Sequence, residues 1–376
     1  MPARIIISVT SDLVTDQRVQ RASAALKEAG YQVMLIGRRL PGSMDMPGKR
    51  YRSTRFRLWF NRGPAFYANY NIRLAWYLLW HHADILLSND LDTLPANYLI
   101  SRIKRIPLVY DSHEYFTGVP ELVSRPKIQA IWKKIERILV PRLRYAYTVN
   151  DSIAKLYKEE YGIDFKVIRN VPENRYQAIR DLTTLRRSLG LPSDKKIILL
   201  QGAGINVDRG AEEAVMAMRH LHDVLLLIVG GGDVIPELKN RVHRLGISEK
   251  VKFEGKKTPA DLFLYTSCAD LGLTLDKDTN LNYRYSLPNK LFDYIQAGIP
   301  ILASDLPEIR AIVERYQVGL ISPNHQPEEL ALLMRKMLDD ESARKTWKEN
   351  LARAAQTLNW DAERVKLLTL FKSIGR

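Results

Sequence analysis

The chain has 376 residues, 46% of them hydrophobic and 26% charged, which is the composition of a globular protein with a real core and the length of two domains. A net charge of +15 directs attention to anionic partners: nucleic acid, anionic lipid or a phosphorylated ligand. The lone cysteine, Cys268, excludes an internal disulfide, and no apolar run reaches the roughly 18 residues of a bilayer-spanning helix.

In chain order, short apolar strands alternate with amphipathic helices. The opening run from Met1 to Thr10 is too short in apolar length for a signal peptide and reads as a first strand, Arg4–Val9. Further strands are expected at Gln32–Ile36, Ile85–Leu87, Leu108–Asp111, Ala146–Val149 and Lys166–Ile168. Helical patterns fall near Asp16–Ala29, Phe66–Trp80, Leu91–Ile103, Ile128–Val140 and Ser152–Tyr161, with Asp16 and Asp151 as N-caps. The alternation predicts a parallel sheet covered by helices on both faces. Basic residues cluster at Lys49, Arg50, Arg52, Arg55, Arg57 and Arg62, with Tyr51, Phe56, Trp59 and Phe60 among them. The helix from Phe66 to Trp80 reads either as core or as a membrane-facing element.

After the proline-containing stretch Asn170–Arg175 the pattern begins again. Strands are expected at Ile197–Gln201, Val224–Val229, Val251–Glu254, Leu271–Leu273, Ile299–Leu302 and Val318–Ile321. Cys268 sits in the apolar run Leu262–Leu273 and reads as a buried thiol, which suits a reducing compartment. The halves repeat in architecture, not in sequence. The expected division is residues 1–172, residues 173–358, and a helix at 359–376 that returns to the first domain. Two doubly wound domains with a cleft between them follow, ligands sitting at the carboxyl ends of the strands.

The run from Ser286 to Pro300 carries the most chemistry. Pro288 suits a helix start and Gly298 a helix end. Lys290 and Asp293 share one face of the first turn, beside backbone N–H groups suited to phosphate, and the carboxylate can accept from a ribose. A surface ion pair between them is the bland alternative. Gly202-Ala203-Gly204 follows a strand, but Val207 replaces the third glycine of a dinucleotide fingerprint, so a phosphate-cradling loop with Arg209 fits better than a nicotinamide site. Gly230-Gly231-Gly232-Asp233 allows close backbone approach to a ligand, or a tight turn capped by Asp233. Asp111-Ser112-His113-Glu114 and Asn89-Asp90 fall at strand ends, where His113 is placed to donate a hydrogen bond or shuttle a proton. His81-His82 lacks further ligands at metal spacing, and no metal site is read.

Taken in order, these pieces resemble the family 4 retaining glycosyltransferases of the GT-B fold, nearest to bacterial members that build surface polysaccharides and lipopolysaccharides. The matching segments are Asp16-Gln17-Arg18-Val19, Asp111-Ser112-His113-Glu114, Val149–Ile153, Val167–Asn170, Arg209-Gly210, Val229–Gly232 and Leu287–Asp305. The resemblance implies two Rossmann-like domains, the first binding an acceptor and the second a nucleotide-diphosphate sugar of UDP or GDP type, with no further cofactor. It implies Arg209 at the phosphates and Asp293 at the ribose. Ala203 stands where a second basic residue is expected, Tyr285 where the first glutamate of Glu-x7-Glu is expected, and Thr10-Ser11-Asp12-Leu13 in place of a glycine-rich loop. Lys290 is then expected to replace the missing positive charge.

The expected catalytic set is His113, Arg209 and Lys290. The donor set is Gly204, Arg209, Gly231, Lys290 and Asp293. Acceptor or cleft positions are Asp16, Arg18, Asp90, Asp111, Glu114 and Tyr285. The basic cluster from Lys49 to Arg62 suggests docking on an anionic membrane from the cytoplasmic side. The competing readings are a nucleotide-sugar epimerase, or a non-catalytic binder of nucleotide sugars or nucleic acid; the sequence shows no RNA-binding signature.

Overall fold

The computed structural model describes residues 2–14, 16–40, 42–43, 52–176 and 181–374; Lys49 and Arg50 of the basic cluster lie outside them. The chain divides into two compact units, Met1–Asn170 with Glu363–Arg376, and Val171–Ala362.

The first unit contains β1 (Arg4–Ser8), α1 (Gln17–Glu28), β2 (Gln32–Arg38), β3 (Arg52–Phe56), α2 (Gly63–Trp80), β4 (Ile85–Asn89), α3 (Leu94–Lys104), β5 (Leu108–Ser112), α4 (Pro120–Val123), α5 (Pro126–Leu139), β6 (Tyr145–Thr148), α6 (Asp151–Tyr161) and β7 (Lys166–Val167). Its seven strands are ordered β3-β2-β1-β4-β5-β6-β7, every pair parallel. The order reverses between β1 and β4, so their carboxyl ends flank the crevice where doubly wound sheets bind ligands. The central strands β4 and β5 are buried along their whole length, as a sheet covered on both faces requires.

The second unit continues with α7 (Leu182–Ser188), β8 (Lys196–Gly202), α8 (Ala211–Ala217), β9 (Val224–Gly230), α9 (Ile235–Arg244), β10 (Val251–Glu254), α10 (Pro259–Ser267), β11 (Leu271–Thr274), α11 (Leu281–Arg284), α12 (Asn289–Ala297), β12 (Ile301–Ser304), α13 (Pro307–Tyr316), β13 (Gly319–Ser322), α14 (Pro327–Asp339) and α15 (Glu341–Thr357). Its six parallel strands run β10-β9-β8-β11-β12-β13, reversing between β8 and β11. Cys268 is fully buried here, and burial pushes its thiol up to about 11.

The last helix, α16 (Trp360–Lys372), enters the first unit from Glu363 onward. Phe371 packs edge-on to Tyr31 at 6.2 Å, Arg364 pairs with Glu28 at 3.0 Å, and Glu363 accepts from the Arg169 backbone N–H at 3.0 Å.

Three local outcomes differ from the sequence reading. Residues Arg52–Phe56 form an edge strand, β3, paired in parallel with β2. Within it Arg55 turns onto Asp12 at 3.4 Å, so of the described members of the basic cluster only Arg52, Arg57 and Arg62 are exposed. The N-cap of α6 is Asn150, not Asp151: its backbone is extended, and its side chain accepts from the Ile153 N–H at 2.8 Å. Pro288 is the N-cap of α12 rather than an early helical residue, while Gly298 ends that helix at φ 71°, a left-handed conformation that glycine adopts without steric cost. Among the described residues no helix is long and apolar enough to cross a membrane.

Candidate functional site

In the second unit the chemistry gathers at the carboxyl ends of β8 and β11. Arg209 lies in the loop after β8, Asp276 two residues beyond β11, and Lys290 is the second residue of α12. Arg209 Nη1 donates to Asp276 Oδ1 at 2.8 Å, and Lys290 Nζ reaches Asp276 Oδ2 at 3.2 Å. Asp276 is fully buried. Burial alone would raise its carboxyl, but Lys290 and Arg209 together hold it below the usual carboxylate range. Burial would likewise lower the Arg209 guanidinium, and Asp276 more than offsets this. The guanidinium lies 4.2 Å from the centre of the Tyr283 ring. Its Nε is a buried donor with no hydrogen-bond partner among the described residues. Two cations therefore share one carboxylate and leave a surplus positive charge and an unused N–H.

The bland reading of Lys290 and Asp293 gives way to a different arrangement. Lys290 turns to Asp276, while Asp293 Oδ2 accepts from Gln201 Nε2 at 2.9 Å, and Gln201 in turn accepts from the Thr266 hydroxyl at 2.6 Å. Asp293 is half-buried beside this relay. Gly204 and Ala203 are exposed in the loop after β8. The triple glycine serves loop packing: Gly231 N–H donates to the Gly202 carbonyl at 3.2 Å, and its own carbonyl accepts from Ile205 N–H at 2.8 Å. Gly230 sits at φ 135°, and a Cβ there would fall 1.8 Å from the Gly202 oxygen, so only glycine fits. Asp233 does not cap the next helix; Val234 is the N-cap of α9. Tyr285, just past α11, is half-buried.

In the first unit a charged chain runs across the ends of β1, β4 and β5. Arg18 grips Asp111 in a bidentate pair, Nη2 to Oδ1 at 2.6 Å and Nε to Oδ2 at 3.0 Å, both residues being buried. His113 lies between two carboxylates, its Nδ1 3.2 Å from Asp90 Oδ2 and its Nε2 3.2 Å from Asp111 Oδ2; Nε2 is also 3.2 Å from Asn89 Oδ1. Burial alone would lower its pKa, but Asp90 and Asp111 raise it to about 9. The ring is thus an imidazolium at neutral pH, with both nitrogens facing acceptors, and it can donate but not take up a proton. Burial would raise Asp111; Arg18 and His113 hold it well below the usual range. Burial raises Asp90, whose backbone sits at φ 57°, an unusual left-handed conformation for a non-glycine residue. Asp92 is pushed up to about 7, by burial first and then by the Asp90 charge.

Asp16 caps α1, accepting from Val19 N–H at 3.1 Å and from the Ser11 hydroxyl at 2.7 Å. Arg18 and Asp111 are buried against each other, so the accessible chemistry at this end rests with half-buried Asp90 and His113. Glu114 is half-buried next to them. Sequence reasoning missed Asp276 and Tyr283. Asp276 had a signal: it falls just past an expected strand, the same position that singles out Asp111.

Two family models match the chain. "Glycosyltransferase Family 4" covers residues 16–172 and "Glycosyl transferases group 1" covers residues 181–354. A chitobiosyldiphosphodolichol beta-mannosyltransferase of Candida albicans is 21% identical over 76% of this chain and 68% of its own length. Among solved structures, sucrose-phosphate synthase from Thermosynechococcus elongatus superposes with a TM-score of 0.81 at 18% identity, covering 98% of both chains. Anabaena HepE, solved with UDP-glucose, gives 0.76 at 17% identity, covering 99% of this chain and 100% of its own. At these identities the structural likeness is one of fold, and the two family models, which together span most of the chain, carry the assignment. The chain belongs to the family 4 glycosyltransferases and has their two-unit GT-B fold.

Proposed function

We propose that the chain transfers a glycosyl group from a nucleoside-diphosphate sugar to a hydroxyl of a glycan or lipid-linked acceptor, with retained anomeric configuration, in the building of cell-surface polysaccharide. The observation that carries this reading is the convergence of Arg209 and Lys290 on buried Asp276, with Arg209 Nε unpartnered among the described residues. A diphosphate suits a site with surplus positive charge and a spare N–H. The bond from the anomeric carbon to the β-phosphate oxygen breaks with its electrons leaving on the phosphate. The acceptor oxygen bonds to that carbon, and its proton passes to the departing phosphate. Arg209 and Lys290 stabilise the charge as it develops. Asp293 takes the ribose hydroxyls. No protein nucleophile is invoked. His113, charged at neutral pH, acts as a hydrogen-bond donor and fixed cation rather than as a base.

The UDP-glucose bound by Anabaena HepE supports a nucleotide-sugar donor of UDP or GDP type. The diphosphodolichol in the name of the Candida relative supports a lipid-linked acceptor.

The test is turnover of UDP- and GDP-sugars, with proton NMR of the product's anomeric configuration. Arg209→Ala is expected to lower turnover about a hundredfold. Unchanged turnover and nucleotide affinity in that variant would remove the assignment. Conversion of the donor without any acceptor would favour an epimerase; tight nucleotide-sugar binding without turnover would favour a binding protein, the reading to which Tyr285 in the glutamate position lends weight.

A further inference from the structure

Helix α2 is apolar on two opposite sides. Phe66, Tyr70, Leu74 and Leu78 are buried against the sheet. At about 100° per residue, Ile72, Trp76, Leu79 and Trp80 fall in an arc of roughly 100° on the other side. Those four are exposed, Trp76 and Trp80 by about two thirds. No exposed residue of α2 carries a charge. The neighbouring helix α3 adds Leu99 and Ile103, each more than half exposed. The C-terminal ends of the two helices are tied together where Lys104 Nζ donates to the His81 carbonyl at 2.8 Å. A solvent-facing helix normally turns charged residues outward, so this inversion calls for an apolar partner.

We infer that this face of α2 and α3 is a membrane-insertion surface for an anionic bilayer, the tryptophans entering the headgroup boundary. The proposal rests on the lipid-linked-acceptor reading for its purpose and deepens it: the contact is apolar first, and the basic residues frame it. Charge complementarity selects the bilayer over a second copy of the chain. Exposed Arg57 and Arg62 precede α2, and exposed Arg102 and Arg105 end α3. The carboxylates between residues 52 and 105 are Asp84, Asp90 and Asp92. Asp84 is occupied by the Arg4 N–H and His82, and the other two belong to the strand-end cluster already described. A symmetric dimer on this face would gather the same four arginines of both copies around one interface. Anionic headgroups neutralise them instead. Tryptophan is the residue that suits a water–lipid boundary, and Trp59 extends the aromatic edge, with the Arg73 guanidinium 4.8 Å from its ring.

The test uses the full chain with vesicles of phosphatidylcholine, with and without phosphatidylglycerol, and brominated phosphatidylcholine as a depth-sensing quencher. Three of the six tryptophans, Trp132, Trp347 and Trp360, are buried, so quenching reports on Trp59, Trp76 and Trp80. The wild type is expected to co-sediment with anionic vesicles and to be quenched. Trp76→Ser/Trp80→Ser is expected to lose affinity at least about tenfold together with the quenching, while Arg57→Glu/Arg62→Glu loses the preference for anionic lipid. Both variants should keep the wild-type melting temperature and nucleotide affinity. Sedimentation undiminished in the tryptophan variant, absence of quenching, or a wild-type dimer that the tryptophan variant converts to monomer would each overturn the proposal. Nucleotide-sugar binding in the same samples separates the two readings: its absence beside intact vesicle binding sinks glycosyl transfer and leaves the surface standing.

Discussion

Asp276 holds two cations with one carboxylate, and that arithmetic decides what its loss should do. In Asp276→Asn the guanidinium of Arg209 and the ammonium of Lys290 remain close with no counter-charge. Breaking a buried ion pair by removing one partner costs about 3–5 kcal/mol, and the partial exposure of Arg209 places this case at the lower end. The free protein should melt at a lower temperature. A nucleoside diphosphate would then supply the missing negative charge, so its affinity should rise and its thermal stabilisation should exceed that of the wild type. Melts with and without UDP and GDP, alongside a calorimetric titration, read both effects. If the variant instead binds the nucleotide as weakly as Arg209→Ala, the carboxylate positions the cations rather than tuning their charge. His113 gives a second residue-level expectation. Its pKa is raised from the usual 6.5 to about 9, so the stability it contributes is fully present below pH 6.5 and is lost as pH climbs through 9. The span corresponds to about 3 kcal/mol at most. The imidazole resonances should titrate near pH 9, and His113→Asn should flatten the loss of stability between pH 6.5 and 9. A midpoint near 6.5 would mean that Asp90 and Asp111 do not enclose the ring.

At the level of elements, legibility followed burial. Strands covered on both faces are near-continuous apolar runs readable from pattern alone, and the edge strands β7, β10 and β13 keep enough apolar signal that twelve of the thirteen strands among the described residues are expected. β3 is not, because Arg52-Ser53-Thr54-Arg55-Phe56 is an edge strand whose pairing to β2 is backbone chemistry with little apolar signal. The same limit applies to α2. A helix apolar on two sides announces burial but not which side the sheet will cover, so the sequence alone leaves core and membrane as open alternatives. At the strand ends, Arg209, Lys290 and His113 are legible as residue types in the right places. The meeting of Arg209 and Lys290 on Asp276 in the second unit, and of His113 with Asp90 in the first, depends on loops that no periodicity describes. Caps are sharper still, since one residue of displacement changes which side chain matters. Asn150→Ala should cost about 1 kcal/mol through the lost bond to Ile153 N–H. Asp151→Ala should cost much less, because the Asp151 carboxylate is largely exposed and pairs only at the surface with Arg169. Urea denaturation of the two variants compares them directly, and equal losses would contradict the assigned cap.

For the whole molecule, the telling feature is that the chain ends in the unit where it began. Residues 363–376 belong to the first unit although everything from Val171 to Ala362 belongs to the second. Leu367 and Phe371 are buried there, and Glu363 satisfies a backbone N–H of Arg169 just before the chain leaves for the second unit. Removing a buried phenylalanine alone costs about 3–5 kcal/mol. A chain stopped after Ala362 therefore strips apolar cover from the first unit and leaves the fold of the second untouched. Differential scanning calorimetry should show one transition lowered or lost and another unchanged. Only the unchanged transition should move up on addition of UDP or GDP, because Arg209, Asp276 and Lys290 all lie in the second unit. Phe371→Ala in the full chain should reproduce a milder form of the same split. A truncated chain with both transitions intact would show that the last helix adds nothing to the first unit; loss of nucleotide stabilisation with both transitions intact would place the nucleotide elsewhere than at Asp276.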